Sequence, residues 1–429
     1  MIGLLLLVGG AATQTPADSL PAVTLAEALQ RAARLDPDYV QALGAVDNAA
    51  WARRAAISAM VLPSISISTD YTHFTIDQFN VGTGERVKTS ATARIDARFE
   101  LFTGFRKASE LSRTGADLDA ARAGEVQQRY LTALATEAAY YEVLSGRELL
   151  DVARDRVRRA EEGLVVARAR VVSGAAVQTD SLQLLLELDR ARVGLLQEES
   201  RLRVARLQLG RRVGTPRGVD AAPLDSSRAP DLPLSLSDAI SLALEQGPEF
   251  RVARANERSA EAAVKSRRGS YFPQAVLSAN TSGFGDKYLV RGLSRSSLTF
   301  SLSFPLWDNG QRELAYSRAR TARDLARASR EDLERSAEAD VTEAYEAYQT
   351  ARATADFSAQ GLVVARENYR VQEARYRAGA STILDLLDAQ SGLTVAQADL
   401  VQARYAARLA LAGLEAMLGR RLFSDKEPA

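Results

Sequence analysis

The chain has 429 residues, of which 46% are hydrophobic and 25% charged, with a formal net charge of +1. That balance excludes a disordered chain and a nucleic-acid binder that relies on excess positive charge. Cysteine is absent and histidine occurs once, at His73. This removes disulfides, thiolate metal sites, cysteine nucleophiles and a lipidated cysteine within this sequence, and leaves almost no room for a Ser-His-Asp triad or a multi-histidine metal centre.

In chain order, MIGLLLLVGGAA reads as the apolar core and small-residue cleavage site of a secretory signal peptide over residues 1–12, although the usual basic n-region is missing. The run is shorter than the ~20 apolar residues a transmembrane helix needs, and no later segment reaches that length. The rest is doubled. VTLAEALQRAARLDPDY (residues 23–39) matches LSLSDAISLALEQGPEF (residues 234–250), AMVLPSISIS matches GSYFPQAVLS, and FELFTGFR matches FPLWDNGQR. Gly174 then pairs with Gly379 and Asp180 with Asp385, and each half closes on LGRR. This divides the chain into a first repeat over 23–214, a linker over 215–233, a second repeat over 234–422 and a tail over 423–429.

Within each repeat a helix comes first and a strand hairpin second, over 64–102 and 274–307. SATARIDARFEL (residues 90–101) puts Ala91, Ala93, Ile95, Ala97, Phe99 and Leu101 on one face against polar residues on the other. SLTFSLSFPL repeats the pattern, and DQFNVGTGER and FGDKYLVRGL read as the hairpin loops. A strand that spans an outer-membrane barrel needs ~9–11 residues with one apolar and one polar face, aromatic at its ends; Tyr71, Phe102 and Trp307 lie near those ends. Four strands cannot close a barrel, and lipid does not tolerate an open edge, so several chains must share it; three would give about twelve strands.

No proline falls between Pro63 and Pro216 or between Pro305 and Pro428, which permits long helices over 105–173 and 311–378. At 1.5 Å per residue each would be ~100 Å long. A heptad-like seam runs through Ala153, Val157, Ala160, Leu164, Ala167 and Val171, and another through Leu362, Ala365, Tyr369 and Tyr376. The returning helices are about half as long. Two short helices laid end to end would therefore flank each long one, turning near 174 and 379.

In YRAGASTILDLLDAQ (residues 376–390), Asp385 and Asp388 share one helix face just past the turn. YRAGASTILDLLDA, the duplicated strand-helix plan and the two LGRR ends together resemble the TolC-like outer-membrane efflux channels over nearly the whole chain. The resemblance implies a fold mostly α with transmembrane β: a homotrimer forming a twelve-stranded barrel in outer-membrane lipid, continued by a twelve-helix coiled-coil tunnel in the periplasm. It implies a passive exit duct for small molecules or polypeptides, docked to a periplasmic adaptor and an inner-membrane pump, with no cofactor and no catalysis. Residue by residue, Asp385 and Asp388 match the acids that ring the pore aperture, Asp180 and Tyr376 a hydrogen-bonded pair that closes the tip, and Gly174 and Gly379 the turns an adaptor touches. The family's lock also has an arginine where this sequence has Ser381; Arg377 is near but is expected to face elsewhere. A soluble coiled-coil scaffold with small hairpins is the competing reading. A carboxylate hydrolase using Asp385 and Asp388 fails because no basic, aromatic or glycine-rich pocket motif accompanies them. Three methionines, one histidine and no cysteine argue against a dedicated soft-metal exporter.

Overall fold

The structure, a computed structural model, describes residues 20–80, 84–224, 230–285 and 294–423. The signal peptide expected over 1–12 lies outside the described residues. So does the tail beyond Phe423.

The first repeat comprises β1 (Ala22–Val23), α1 (Leu25–Leu35), α2 (Pro37–Val61), β2 (Ser64–Asn80), β3 (Glu85–Phe102), α3 (Arg106–Val172) and α4 (Gln178–Arg212). After β4 (Asp220–Ala221), the second comprises α5 (Leu236–Gln246), α6 (Pro248–Arg268), β5 (Gln274–Gly285), β6 (Ser294–Ser303), α7 (Gln311–Arg377) and α8 (Ile383–Leu418). The two long helices are each 67 residues. Proline sets the break between the short helices. Pro37 and Pro248 occupy the first turns of α2 and α6, where a missing N–H costs nothing, and Asp36 caps α2 by accepting from the amides of Asp38 and Tyr39 at 3.1 Å.

The helices form a layer four members wide. Near the strands the order is α2, α3, α6, α7; toward the turns it is α4, α3, α8, α7. The end-to-end arrangement inferred from helix lengths is therefore present on both sides of α3. Of the expected seams, Ala160, Leu164 and Ala167 are buried against Leu184, Leu188 and Ala191 of α4, and Tyr376 and Ile383 join the same cluster.

The strands form one antiparallel sheet in the order β2, β3, β5, β6. Register aligns Ile65 with Ala97, Ala97 with Ala279 and Ala279 with Leu298; Phe99 with Leu277 and Leu277 with Phe300. One face is thus apolar from edge to edge. The other carries Ser66, Asp96, Asn280 and Ser297 in line, and Asn280 donates to Asp96 at 2.5 Å. Much of the apolar face is bare: Ile67 is 77% exposed and Leu298 73%, while Phe99 near the helices carries Lys107 over its ring at 4.8 Å. The outermost strands, β2 and β6, each have one unpaired edge.

Three expectations change. The first hairpin is longer than its alternation shows: β2 continues to Asn80 and β3 starts at Glu85, so most of DQFNVGTGER is strand. A register shift between His73 and Gln78 inserts extra residues, and a bulge destroys the period-two signal beyond it. The second hairpin stops at Ser303, short of 307, because Pro305 cannot donate to a ladder. The stretch read as a linker contains β4, which pairs in parallel with β1; the Tyr140 hydroxyl donates to Ala222 O at 2.7 Å and Val23 O at 3.3 Å, fixing both strands to α3. The two LGRR landmarks keep order but not spacing: the second lies four residues further from its tip glycine, about one helical turn, which keeps its side chains near the same face.

Behind the second repeat the chain end is clasped to α3. Arg421 donates to Glu137 at 2.5 Å and to Glu415 at 2.7 Å, while the Leu422 amide donates to Glu415 at 2.8 Å. Both carboxylates are buried.

Candidate functional site

The two helical turns meet at the far end from the sheet. Each is a Schellman closure: the Gly174 amide donates to Val171 O and that of Ala175 to Arg170 O, and the Gly379 and Ala380 amides do the same to Tyr376 O and Arg375 O. Both glycines have φ of 76°, the left-handed region where a Cβ is strained. A Cβ at Gly174 would meet nothing within 4 Å, so φ alone requires that glycine. Arg170 and Arg375 each also donate to the last carbonyl of their own turn, Ala175 O at 3.1 Å and Ala380 O at 3.3 Å.

The symmetry of the repeats ends at the aspartates. Thr382 caps α8 and forms a capping box with Asp385: the carboxylate accepts from the Thr382 amide at 2.9 Å and its hydroxyl at 2.8 Å, and the Asp385 amide donates back to that hydroxyl at 3.3 Å. The hydrogen bond from the Thr382 backbone amide, then that from its hydroxyl, hold the Asp385 carboxyl below the ordinary aspartate range. At the matching place in the first repeat stands Val177, which has no side-chain acceptor. Asp180 is thereby free of the capping role and accepts from the Tyr376 hydroxyl at 3.5 Å, the outer limit of a hydrogen bond.

Tyr376 is 2% exposed, and burial, followed by the Asp180 charge, raises its phenol. The stronger tie is to Arg170 of α3. Its guanidinium lies 4.6 Å from the Tyr376 ring centroid and donates to the Tyr376 carbonyl oxygen. Arg170 therefore joins one hairpin turn to the other. Sequence reasoning missed it, because it is one arginine among many on a charged helix; its twin Arg375, at the same distance from its turn, is the only signal. Arg377, expected to face elsewhere, pairs with Glu373 at 2.7 Å and borders a small cavity beside Tyr369, Tyr376 and Leu386. Ser381, where the family pattern has an arginine, buries its hydroxyl oxygen without a hydrogen-bond partner among the described residues. Deeper, Arg159 links α3 to α8 through Thr394 at 3.2 Å and Gln397 at 3.3 Å.

Asp180, Tyr376 and the Gly379 turn thus converge on Arg170. Asp385 and Asp388 are exposed on α8 beside them, and Asp388 makes no hydrogen bond or ion pair with any described residue. Asp385 is required by its helix start whatever else it does, and only Asp388 lacks a structural reason.

The outer membrane efflux protein family matches residues 22–215 and 239–420. The pyoverdine export outer membrane protein OpmQ of Pseudomonas putida is 28% identical over 369 residues, covering 81% of this chain and 76% of its own. Protein CyaE of Bordetella pertussis is 28% identical over 434 residues, covering 96% of this chain and 88% of its own. Among solved structures, the Campylobacter jejuni CmeC outer membrane channel superposes with a TM-score of 0.79 at 14% identity over 98% of this chain and 92% of its own. The outer membrane protein VceC of Vibrio cholerae gives 0.76 at 17% identity over 93% of this chain and 96% of its own.

Proposed function

The chain belongs to the outer membrane efflux protein family, and from that premise we propose that three copies close one barrel and one tunnel, forming a passive exit duct. It is an outer-membrane efflux component; an inner-membrane pump and a periplasmic adaptor supply cargo and energy. The carrying observation is the sheet. It has a largely bare apolar face, a polar face, and two open edges that a neighbouring copy would pair, edge β6 against edge β2. The helices support the same closure. At one edge of their layer α7 exposes Phe357, Val364 and Val371 at heptad spacing, and at the other α4 exposes Leu182, Leu186, Val193 and Leu196. A soluble scaffold would cover such a sheet with a helix. Extraction of the full-length protein in mild detergent is expected to give a native mass of three chains; a monomer returns the scaffold to first place.

In this assembly Asp385 and Asp388 of three copies surround the aperture and favour cations, and the Gly174 and Gly379 turns meet the adaptor. Asp388→Asn leaves the capping box intact and removes half the ring. In planar bilayers it is expected to lower the cation-to-anion permeability ratio about fivefold, corresponding to ~1 kcal/mol of Coulomb energy near water. Relatives named for pyoverdine export and for toluene efflux agree with a transport role rather than an enzymatic one.

A further inference from the structure

One helical stripe lies outside the tip and serves none of these roles. Arg251, Arg254 and Arg258 recur at i, i+3 and i+7, which places three guanidinium groups on one face of α6. They line a cavity of about 350 Å³ between α6 and α3, with Arg122 on the opposite wall and Pro248 at the α6 N-terminus. Asp119 is the only acid on the lining. It pairs with Arg258 at 3.4 Å, and Arg254 is held by Leu244 O at 2.6 Å and approached by Glu334 at 3.7 Å. Arg122 and Arg251 make no side-chain hydrogen bond or ion pair with any described residue.

Four cations against Asp119 on the lining and Glu334 at its border leave an excess of positive charge, with Arg122 and Arg251 unpaired among the described residues. Guanidinium groups are weakly hydrated and present paired donors that match carboxylate and phosphate oxygens two at a time. The volume equals about a dozen waters at ~30 Å³ each, room for a small polyanion. The position also matters. α3 and α6 are the inner members of the layer, flanked by α2 and α7, so a neighbouring copy joined at the layer's edges does not supply the missing carboxylates.

We propose that the Arg122, Arg251, Arg254 and Arg258 cavity is a binding site for a small polyanion carrying at least two phosphate or carboxylate groups. The free head of Arg251 and that of Arg122 grip the anion from the two helices, and Arg254 and Arg258 hold its flank. A polyanion could come from solute passing through the tunnel or from a fixed envelope polymer outside it, and the two sources touch opposite faces of the wall.

The test uses purified full-length protein in detergent with sodium pyrophosphate as probe, against sodium chloride at equal ionic strength. Calorimetric titration is expected to show saturable binding that Arg122→Ala/Arg251→Ala weakens at least tenfold, while Arg370→Ala, far along α7 toward the turns and paired only with Glu367 among the described residues, leaves it unchanged. Native mass and melting of each variant show whether assembly is intact; if the double alanine variant fails to assemble, Arg122→Gln and Arg251→Gln singly are each expected to weaken binding several-fold. Binding no stronger than the salt control, or equal in assembled wild type and variants, overturns the site while leaving the channel reading standing. In bilayers, a pyrophosphate-dependent fall in current assigns the anion to tunnel solute. Saturable binding with unchanged current assigns it to the outer wall.

Discussion

Arg170→Ala is expected to raise the open fraction of the channel by roughly thirty- to several-hundredfold per copy, read as conductance in planar bilayers or as entry of a large, normally excluded antibiotic. The substitution removes a charge-assisted hydrogen bond to the Tyr376 carbonyl, worth ~1.5–3 kcal/mol, and a cation–π contact worth ~0.5–1 kcal/mol. Together these hold one hairpin turn against the other. Tyr376→Phe keeps both, and loses only the 3.5 Å hydrogen bond to Asp180, so its effect should stay within about twofold. Arg375→Ala provides the control, since it removes the equivalent turn-capping bond to Ala380 O but no contact between hairpins in the described residues. If Arg170→Ala and Arg375→Ala gate alike, Arg170 is merely a turn cap.

Arg421→Ala is expected to destabilise the folded chain by ~3–5 kcal/mol, the cost of leaving buried charge without its partner. Glu137 and Glu415 would then face each other with no cation between them. Burial, the largest influence, already raises the Glu137 carboxyl above its ordinary value, and the Arg421 charge offsets only part of that rise. An acid whose folded value is raised contributes stability below its unfolded value of about 4.3, and loses that contribution as pH climbs through the folded value. Removing Arg421 moves the folded value further up. The melting deficit of Arg421→Ala relative to wild type should therefore be larger at pH 7 than at pH 5. A deficit that is equal at both values would mean that the clasp acts through packing and not through charge.

Much of the architecture was legible because it rests on periodicity and on residues with a single backbone use. Long proline-free heptads gave α3 and α7 to within a residue or two, Gly174 and Gly379 gave the turns, and alternation gave the four strands. The sequence reading failed where a contact joins distant segments without a local pattern. Arg421 and Glu137 are 284 residues apart, and Arg170 and Tyr376 are 206 apart. The two-residue strand β4 is too short for any period to register. Thr382-x-x-Asp385 was readable as a capping box, yet the resemblance drew attention to the aspartate as pore charge. Both uses fit one carboxylate. The contrast with Val177 explains why the same landmark became a cap in one repeat and a tyrosine acceptor in the other.

The open edges of the sheet also bear on how such a chain reaches its membrane. A soluble domain can fold alone and associate later, but a four-stranded sheet bordered by β2 and β6 cannot enter hydrocarbon by itself, since each edge would carry a row of unmatched amides and carbonyls. In the proposed trimer, folding into lipid and joining with other copies would be a single event, with a rate expected to rise more steeply than linearly with chain concentration. Until that event the helices can form while the strands wait, and the uncovered Ile67, Leu298 and Phe300 make the waiting chain a client for whatever shields apolar strands on the way.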